Sequence, residues 1–212
     1  MGAAANNSGL LPLSVAVNGD SLRLFLARRD DPAFEPFCRA VWQRDDYRCR
    51  YCGFRSGVHQ EVVNIDGNYL NNRVSNLATA CCFCQQCMFL SAIGSGTGSS
   101  GKLIWLPEMT QGQLNALVHV LFSMMYRGGG YGGLAQTTYQ NLLARADHLS
   151  KVLNMDALAD AGEVGRYLLN LDDAARDGLQ QALFSRVRLL PIYASFSAAV
   201  GDWEQESKEL LL

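Results

Sequence analysis

A mixed α+β fold is predicted, with a small cysteine-stapled N-terminal half that contains strands and a mostly α-helical C-terminal half. Three observations predict it. Asn18-Gly19 stands between the apolar runs Leu13 to Val17 and Leu22 to Ala27, and Asn-Gly in that setting is the strongest short-range signal for a β-hairpin. Seven cysteines, at 38, 49, 52, 81, 82, 84 and 87, crowd into one segment. Beyond residue 110, apolar side chains recur three and four residues apart, the period of a helix with one buried face.

Residues 1–10 are small and polar and are expected to be disordered. The apolar run from Leu10 is broken by Pro12 and Ser14 and has no basic residue before it, which makes a poor secretory signal. Gly2 opens a myristoylation pattern, but Asn6 stands where Ser or Thr is needed. No apolar run approaches the roughly 20 residues of a membrane-spanning helix, so a cytoplasmic protein is expected. From Pro32 the pattern turns helical, with Phe34, Phe37, Cys38, Val41 and Trp42 on one face. Cys38 therefore reads as a small core residue.

Gly94 to Lys102 contains two phosphate-loop spacings, yet Leu103 follows Lys102 where such a loop needs Ser or Thr. Leu103 to Leu106 then reads as a strand ended by Pro107, so residues 94–102 are expected to be a glycine-rich loop. Thr110 and Gln113 form a capping box ahead of the stripe Leu114, Leu117, Val118, Leu121, Phe122 and Met125. Five glycines between Gly128 and Gly133 stop that helix. Tyr139, Leu142, Leu143, Ala146, Leu149 and Leu153 mark a second stripe, and Ala175, Leu179, Ala182, Leu183 and Val187 a third that ends before Pro191. A last helix is expected from about Tyr193 into the acidic run Asp202 to Glu209. His119 and His148 have no second ligand near them in sequence and read as structural or solvated.

The net charge is −2 and the pI about 5.9, which argues against a surface built to hold phosphates. An odd, tightly clustered set of cysteines is unlike a disulfide framework; in a reducing compartment it points to metal. Cys49-Arg50-Tyr51-Cys52-Gly53 is a zinc knuckle, two thiolates at C-x-x-C spacing with a glycine that permits the turn. Either Cys81/Cys84 or Cys84/Cys87 can supply the second pair. Four thiolates leave no open position, so one structural Zn2+ is expected, supplying folding energy to a segment too small to bury its own core.

Cys49-x-x-Cys52-Gly53, then "VVNIDGNYLNNRVSNL", then Cys81-x-x-Cys84 together resemble the zinc-containing form of the HNH endonuclease motif. The resemblance implies the pair Cys81/Cys84, with Cys87 as the alternative ligand. It places the catalytic metal ligand of that family at Val63, its general base at Asn64, its bracing asparagine at Asn76 and its final histidine at Gln85. Valine has no donor atom, and an amide accepts no proton near neutral pH. No catalytic residue is therefore expected. His59, five residues before the base position, is not expected to replace it.

A longer similarity is to the IcmJ/DotN family, carried by "QRDDYRCRYCGF", "VVNIDGNYLNNRVSNLATACCFCQQC", the glycine-rich stretch before "LIWLPEMTQGQLNALVHVLF", and "RLLP". It implies a zinc-containing, HNH-like (ββα-metal) protein; with the hairpin read from Asn18-Gly19, the core is expected over residues 11–93 and a mainly helical region, packed with it as one domain, over 103–212. It also implies a non-catalytic subunit of a Dot/Icm type IVB secretion coupling complex. Such a subunit is cytoplasmic, peripheral to the inner membrane, and inserts no segment into it. Its partner is the C-terminal extension of the DotL coupling ATPase, which also carries the IcmS/IcmW adaptor, and not nucleic acid. The alternative is an HNH-class nuclease or nucleic-acid-binding protein with a non-standard site, using Arg44, Arg48, Arg50 and Arg55 around the first knuckle.

Overall fold

The computed structural model describes residues 9–209 apart from 97, 148 and 150–159. Within them lie helices α1 (Gly19–Arg29), α2 (Glu35–Arg44), α3 (Cys82–Gln86), α4 (Gln111–Arg127), α5 (Gly129–Leu143), α6 (Ala161–Leu169), α7 (Asp173–Phe184) and α8 (Tyr193–Glu209). Strands β1 (Gln60–Asn64) and β2 (Leu77–Cys81) form one two-stranded antiparallel sheet, and β3 (Gly101–Trp105) and β4 (Val187–Pro191) another. The fold is thus mixed, with two small sheets and a mostly helical C-terminal half.

The expected hairpin at Asn18-Gly19 is replaced by an extended segment and a helix. A two-residue hairpin turn of this type needs positive φ at both central residues, whereas Asn18 has φ −134° and occupies the N-cap of α1. Leu22, Phe25 and Leu26 are helically spaced, and Asp20 in the first turn and Arg28 and Arg29 in the last complement the helix dipole. Gly19 serves close packing instead: a Cβ there would meet Leu169 at 2.9 Å. The segment before it keeps its alternation, with Val15 and Val17 buried. It is tied down through Leu11 N–H to Arg50 O (2.7 Å), through both backbone groups of Ala16, which donates to Cys87 O (2.8 Å) and accepts from Leu90 N–H (3.0 Å), and through Val17 N–H to Gln180 Oε1 (2.8 Å). Of the stretch expected to be disordered, residues 1–8 lie outside the described residues.

In the C-terminal half, the capping box at Thr110 and Gln113 is present, and α4 runs to Arg127. Gly128, at φ +69°, ends α4, and α5 opens directly after it at Gly129, itself at φ +72°, so that Gly130, Gly132 and Gly133 lie inside a helix. Leu153 and His148 lie outside the described residues. The third stripe is split: α7 ends at Phe184, and Val187 opens β4, which pairs Leu189 with Leu103 of β3. Arg188 explains the break. Its buried guanidinium donates to the carbonyls of Met109, Phe184 and Ser185, turning the chain from helix to strand.

One buried cluster runs from Cys49, Val63 and Phe83 through Leu114, Val118 and Phe122 to Phe196 and Trp203, spanning both halves of the chain. A second gathers Val15, Leu90, Leu103, Leu168 and Leu189, and a third packs Val41 of α2 on Val62 and Leu77 of the first sheet. Half-buried Cys38 packs against the third cluster, as a core thiol should. Each fully buried Phe or Leu contributes roughly 1.5–3 kcal/mol, so the first cluster is the main bond between the knuckles and the helices.

Candidate metal centre

The first knuckle is shaped by its backbone. Cys49 N–H bonds to Phe54 O (2.8 Å), Gly53 N–H bonds to Cys49 O (2.9 Å), and Gly53 sits at φ +80°, where a glycine is required. Arg50 N–H donates to Thr79 O (2.9 Å), which docks the knuckle on β2. The second pair comes from the end of β2 (Cys81) and from α3 (Cys84). The structure brings Cys49, Cys52, Cys81 and Cys84 together, all four sulfurs within 4.8 Å of one another and all buried.

The donor set fits a tetrahedral dication. Sulfurs held at about 2.3 Å from one zinc stand about 3.8 Å apart, and Cys52 and Cys81 are at 3.6 Å. Burial pushes the Cys81 and Cys84 thiols well up, so thiolates gathered here require a cation to balance them. Cys87 is not in the cluster. Its thiol donates to Phe83 O (3.2 Å), and burial pushes its pKa to about 12. Cys82 is likewise outside the four.

Two residues lean on this site from α4: Asn115, which sequence reading left unassigned, and His119, which it read as structural or solvated. Asn115 Nδ2 lies 3.2 Å from Cys84 Sγ, and His119 Nε2 lies 3.2 Å from Cys81 Sγ. Both side chains are buried. His119 is stacked between Phe54 and Phe83, and burial lowers its pKa to about 3, so the ring is neutral. Its place at the edge of the α4 stripe was visible in the sequence; the sulfur 38 residues away was not.

The loop after β1 is built around two asparagines. Val63 is wholly buried in the core. Asn64 is buried too, and acts as a clamp: Nδ2 donates to Asn68 O (2.9 Å) and Asn71 O (2.8 Å), while Oδ1 accepts from Arg28 Nη1 (2.5 Å). Asn76 braces the loop, donating to Asp66 Oδ1 (2.8 Å) and Asn71 O (2.8 Å). Asn64 and Asn76 therefore meet on one carbonyl, whereas half-buried Gln85 bonds to neither. Arg28 was missed by sequence reading. It lies over the rings of Phe34 and Tyr69 and donates to Val62 O (2.7 Å), filling the space beside Asn64 with a fixed cation. The helical spacing of Phe25 and Arg28 was the signal that could have found it.

His59 is engaged elsewhere, 2.7 Å from Asp202 of α8. The arginines around the first knuckle are each paired with an acid: Arg44 and Arg50 with Asp45, and Arg48 and Arg55 with Asp46. Burial would raise the Asp45 carboxyl, but hydrogen bonds from Arg44 and from Thr79 N–H outweigh it and hold the group below the usual carboxylate range.

Fold and site define a class: an α+β protein whose two knuckles converge on a closed four-cysteine centre beside a clamped loop. No protein-family model matches the sequence. The chain is 36% identical over 205 residues, 97% of its own length and 95% of the relative's, to the type 4 apparatus protein DotN of Legionella pneumophila subsp. pneumophila strain Philadelphia 1. At that identity over nearly the full length, the chain belongs to the DotN family.

Proposed function

We propose that the chain is a non-catalytic subunit of a type IVB secretion apparatus, an adaptor that holds the C-terminal extension of the coupling ATPase on a zinc-stabilised, HNH-like scaffold. The observation that carries this reading is the near-full-length similarity to a type 4 apparatus protein. Through the ATPase it works beside adaptors of the IcmS/IcmW kind, at the cytoplasmic face of the inner membrane. In keeping with this, no helix among the described residues is long and apolar enough to cross a membrane.

The zinc ligands are Cys49, Cys52, Cys81 and Cys84, and zinc bound there supplies folding energy with no open position for a substrate. The order β1, loop, β2, α3 around the second knuckle supports the ββα-metal comparison. Absence of catalysis is supported by Val63 in the core, by Asn64 bonded at both ends of its amide, and by Arg28 beside it. Arginines already paired with Asp45 and Asp46 weaken the nucleic-acid alternative.

Purification of the tagged chain from its own cells at moderate salt, with mass spectrometry of what co-elutes, tests the reading. Stoichiometric recovery of a coupling ATPase is expected. Recovery of nucleic acid, or of no partner, would overturn it.

A further inference from the structure

Resting on that zinc reading, we propose that Asn115 and His119 are positioning residues of the metal centre, whose N–H groups, donated to the sulfurs of Cys84 and Cys81, fix the ligands and slow their exchange. The two are one helical turn apart on α4, so both project to the same side and reach neighbouring sulfurs. A metal-bound thiolate offers only lone pairs, so the facing atoms must be donors. For Asn115 the network assigns this independently. Its Oδ1 accepts from Gln111 Nε2 (2.9 Å), which leaves Nδ2 for the sulfur. Gln111 is in turn fixed to both backbone groups of Leu189 in β4, through Nε2 to the carbonyl (2.8 Å) and from the N–H to Oε1 (2.9 Å).

For His119, the ring plane is set by Phe54 at 3.6 Å and 5° and by Phe83 at 4.2 Å and 25°. Phe54 directly follows the first knuckle, and Phe83 lies between Cys81 and Cys84. The geometry is thus held from both knuckles and from the second sheet. An amide and an imidazole this deeply buried are costly unless they are bonded: Asn115 Nδ2 has the Cys84 sulfur, with Cys87 Sγ farther off at 3.8 Å, and of the two His119 nitrogens Nε2 meets the Cys81 sulfur while buried Nδ1 meets no partner among the described residues. Each N–H···S contact draws charge from the thiolate and restrains its swing, the way groups behind metal ligands tune a site. Both contacts fall on the second knuckle. Metal release is then gated by a helix 31 and 38 residues away in sequence.

The test uses the full chain loaded with zinc, timing transfer of the metal to an excess of chromophoric chelator, and the cobalt-loaded chain, reading its thiolate-to-metal charge-transfer band. Asn115→Leu and His119→Phe keep the shape and the stack but remove the donor. About 10- to 100-fold faster transfer and a shifted cobalt band are expected for each, the usual effect of losing a group behind a ligand. His119→Gln, which keeps an N–H, is expected to recover most of the wild-type rate. Wild-type transfer rates and an unshifted band in both donor-less variants would overturn the proposal and leave the four-thiolate site standing. If His119→Phe does not fold, Asn115→Asp and His119→Gln decide. Asp presents only acceptors to Cys84 and should release fast, Gln should release slowly, and the opposite order would overturn the idea. A wild-type chain that takes up no zinc, and binds cobalt without a charge-transfer band, would sink the metal reading itself and this proposal with it.

Discussion

Asn64 shows how one buried side chain can hold a whole loop in place. An amide has a donor and an acceptor where an imidazole base would have a proton-accepting lone pair, and here every arm is in use, on Asn68, Asn71 and Arg28. The four cysteines are the other decisive residues at this scale. On the zinc reading proposed above, Cys52→Ser replaces a thiolate with a poor zinc ligand. Structural zinc contributes roughly 10–16 kcal/mol in small zinc modules, against about 5–15 kcal/mol of net stability for a whole domain, so losing even part of it is decisive. Cys52→Ser and Cys49→Ser are each expected to lose bound zinc and to become insoluble on expression, measured by metal content and soluble yield. Full zinc occupancy with wild-type stability in either variant would rule out the four-thiolate site. Cys38→Ser, outside the cluster, should keep its zinc.

Among the elements, α4 does most to join knuckle to helices, and a glycine sets how closely it approaches. A Cβ on Gly112 would stand 2.6 Å from Tyr51 O, inside the first knuckle. Alanine in a helix gains up to about 1 kcal/mol over glycine, but a clash with backbone cannot be relieved by a rotamer and costs about 1–3 kcal/mol. Gly112→Ala is therefore expected to lower the thermal midpoint. Gly178→Ala in α7, where nothing lies within 4 Å of the added Cβ, should raise it or leave it unchanged. Equal shifts in the two would mean that α4 does not press on the knuckle. The α4 boundaries were legible in sequence because capping and periodicity are local properties, and both lie in Thr110, Gln113 and the residues after them. The strand β4 was not. Val187 fits the α7 stripe by spacing, and only the distant carbonyl of Met109 taken by Arg188, together with the partner strand β3, draws it out. The Asn18-Gly19 signal failed for a related reason, since the run after it also fits a helix and tertiary packing against Leu169 chose that reading. The knuckle Cys49/Cys52 was legible because C-x-x-C spacing is chemistry written locally, whereas that spacing left Cys81/Cys84 and Cys84/Cys87 both open and the HNH resemblance chose between them. Arg28, Asn115 and His119 were not legible, because each earns its role from a partner 31 to 38 residues away.

At the scale of the whole molecule, the acidic end of α8 turns out to face inward as much as outward. Glu206 accepts from Ser56 Oγ and Gly57 N–H at 2.5 Å each, Asp202 meets His59, and Glu204, 5% exposed, accepts from Ser123 and from Arg127 Nε (2.6 Å) of α4. The acidic run of α8 is thus a clasp that closes the helix over the segment after the first knuckle and over α4. Burial works to raise the Glu204 carboxyl, but the bonds from Arg127 and Ser123 prevail and hold it below the usual 4.5. A carboxyl depressed in the folded state binds its proton more readily when unfolded, so it stabilises the fold above pH 4.5 and loses that contribution as the pH falls through its lower folded pKa. Glu204→Gln should therefore be less stable than the wild type near pH 7, by about 1–2 kcal/mol given that Arg127 is largely solvated. The gap should close as the pH drops below 4.5. Urea unfolding of both proteins from the same zinc-loaded preparation across that range measures it, the acid lability of the cysteines being common to both and cancelling in the gap. A gap that stayed constant to pH 3 would show that Glu204 acts by shape alone, and that the clasp is held by packing of Trp203 and Val200 rather than by its charge.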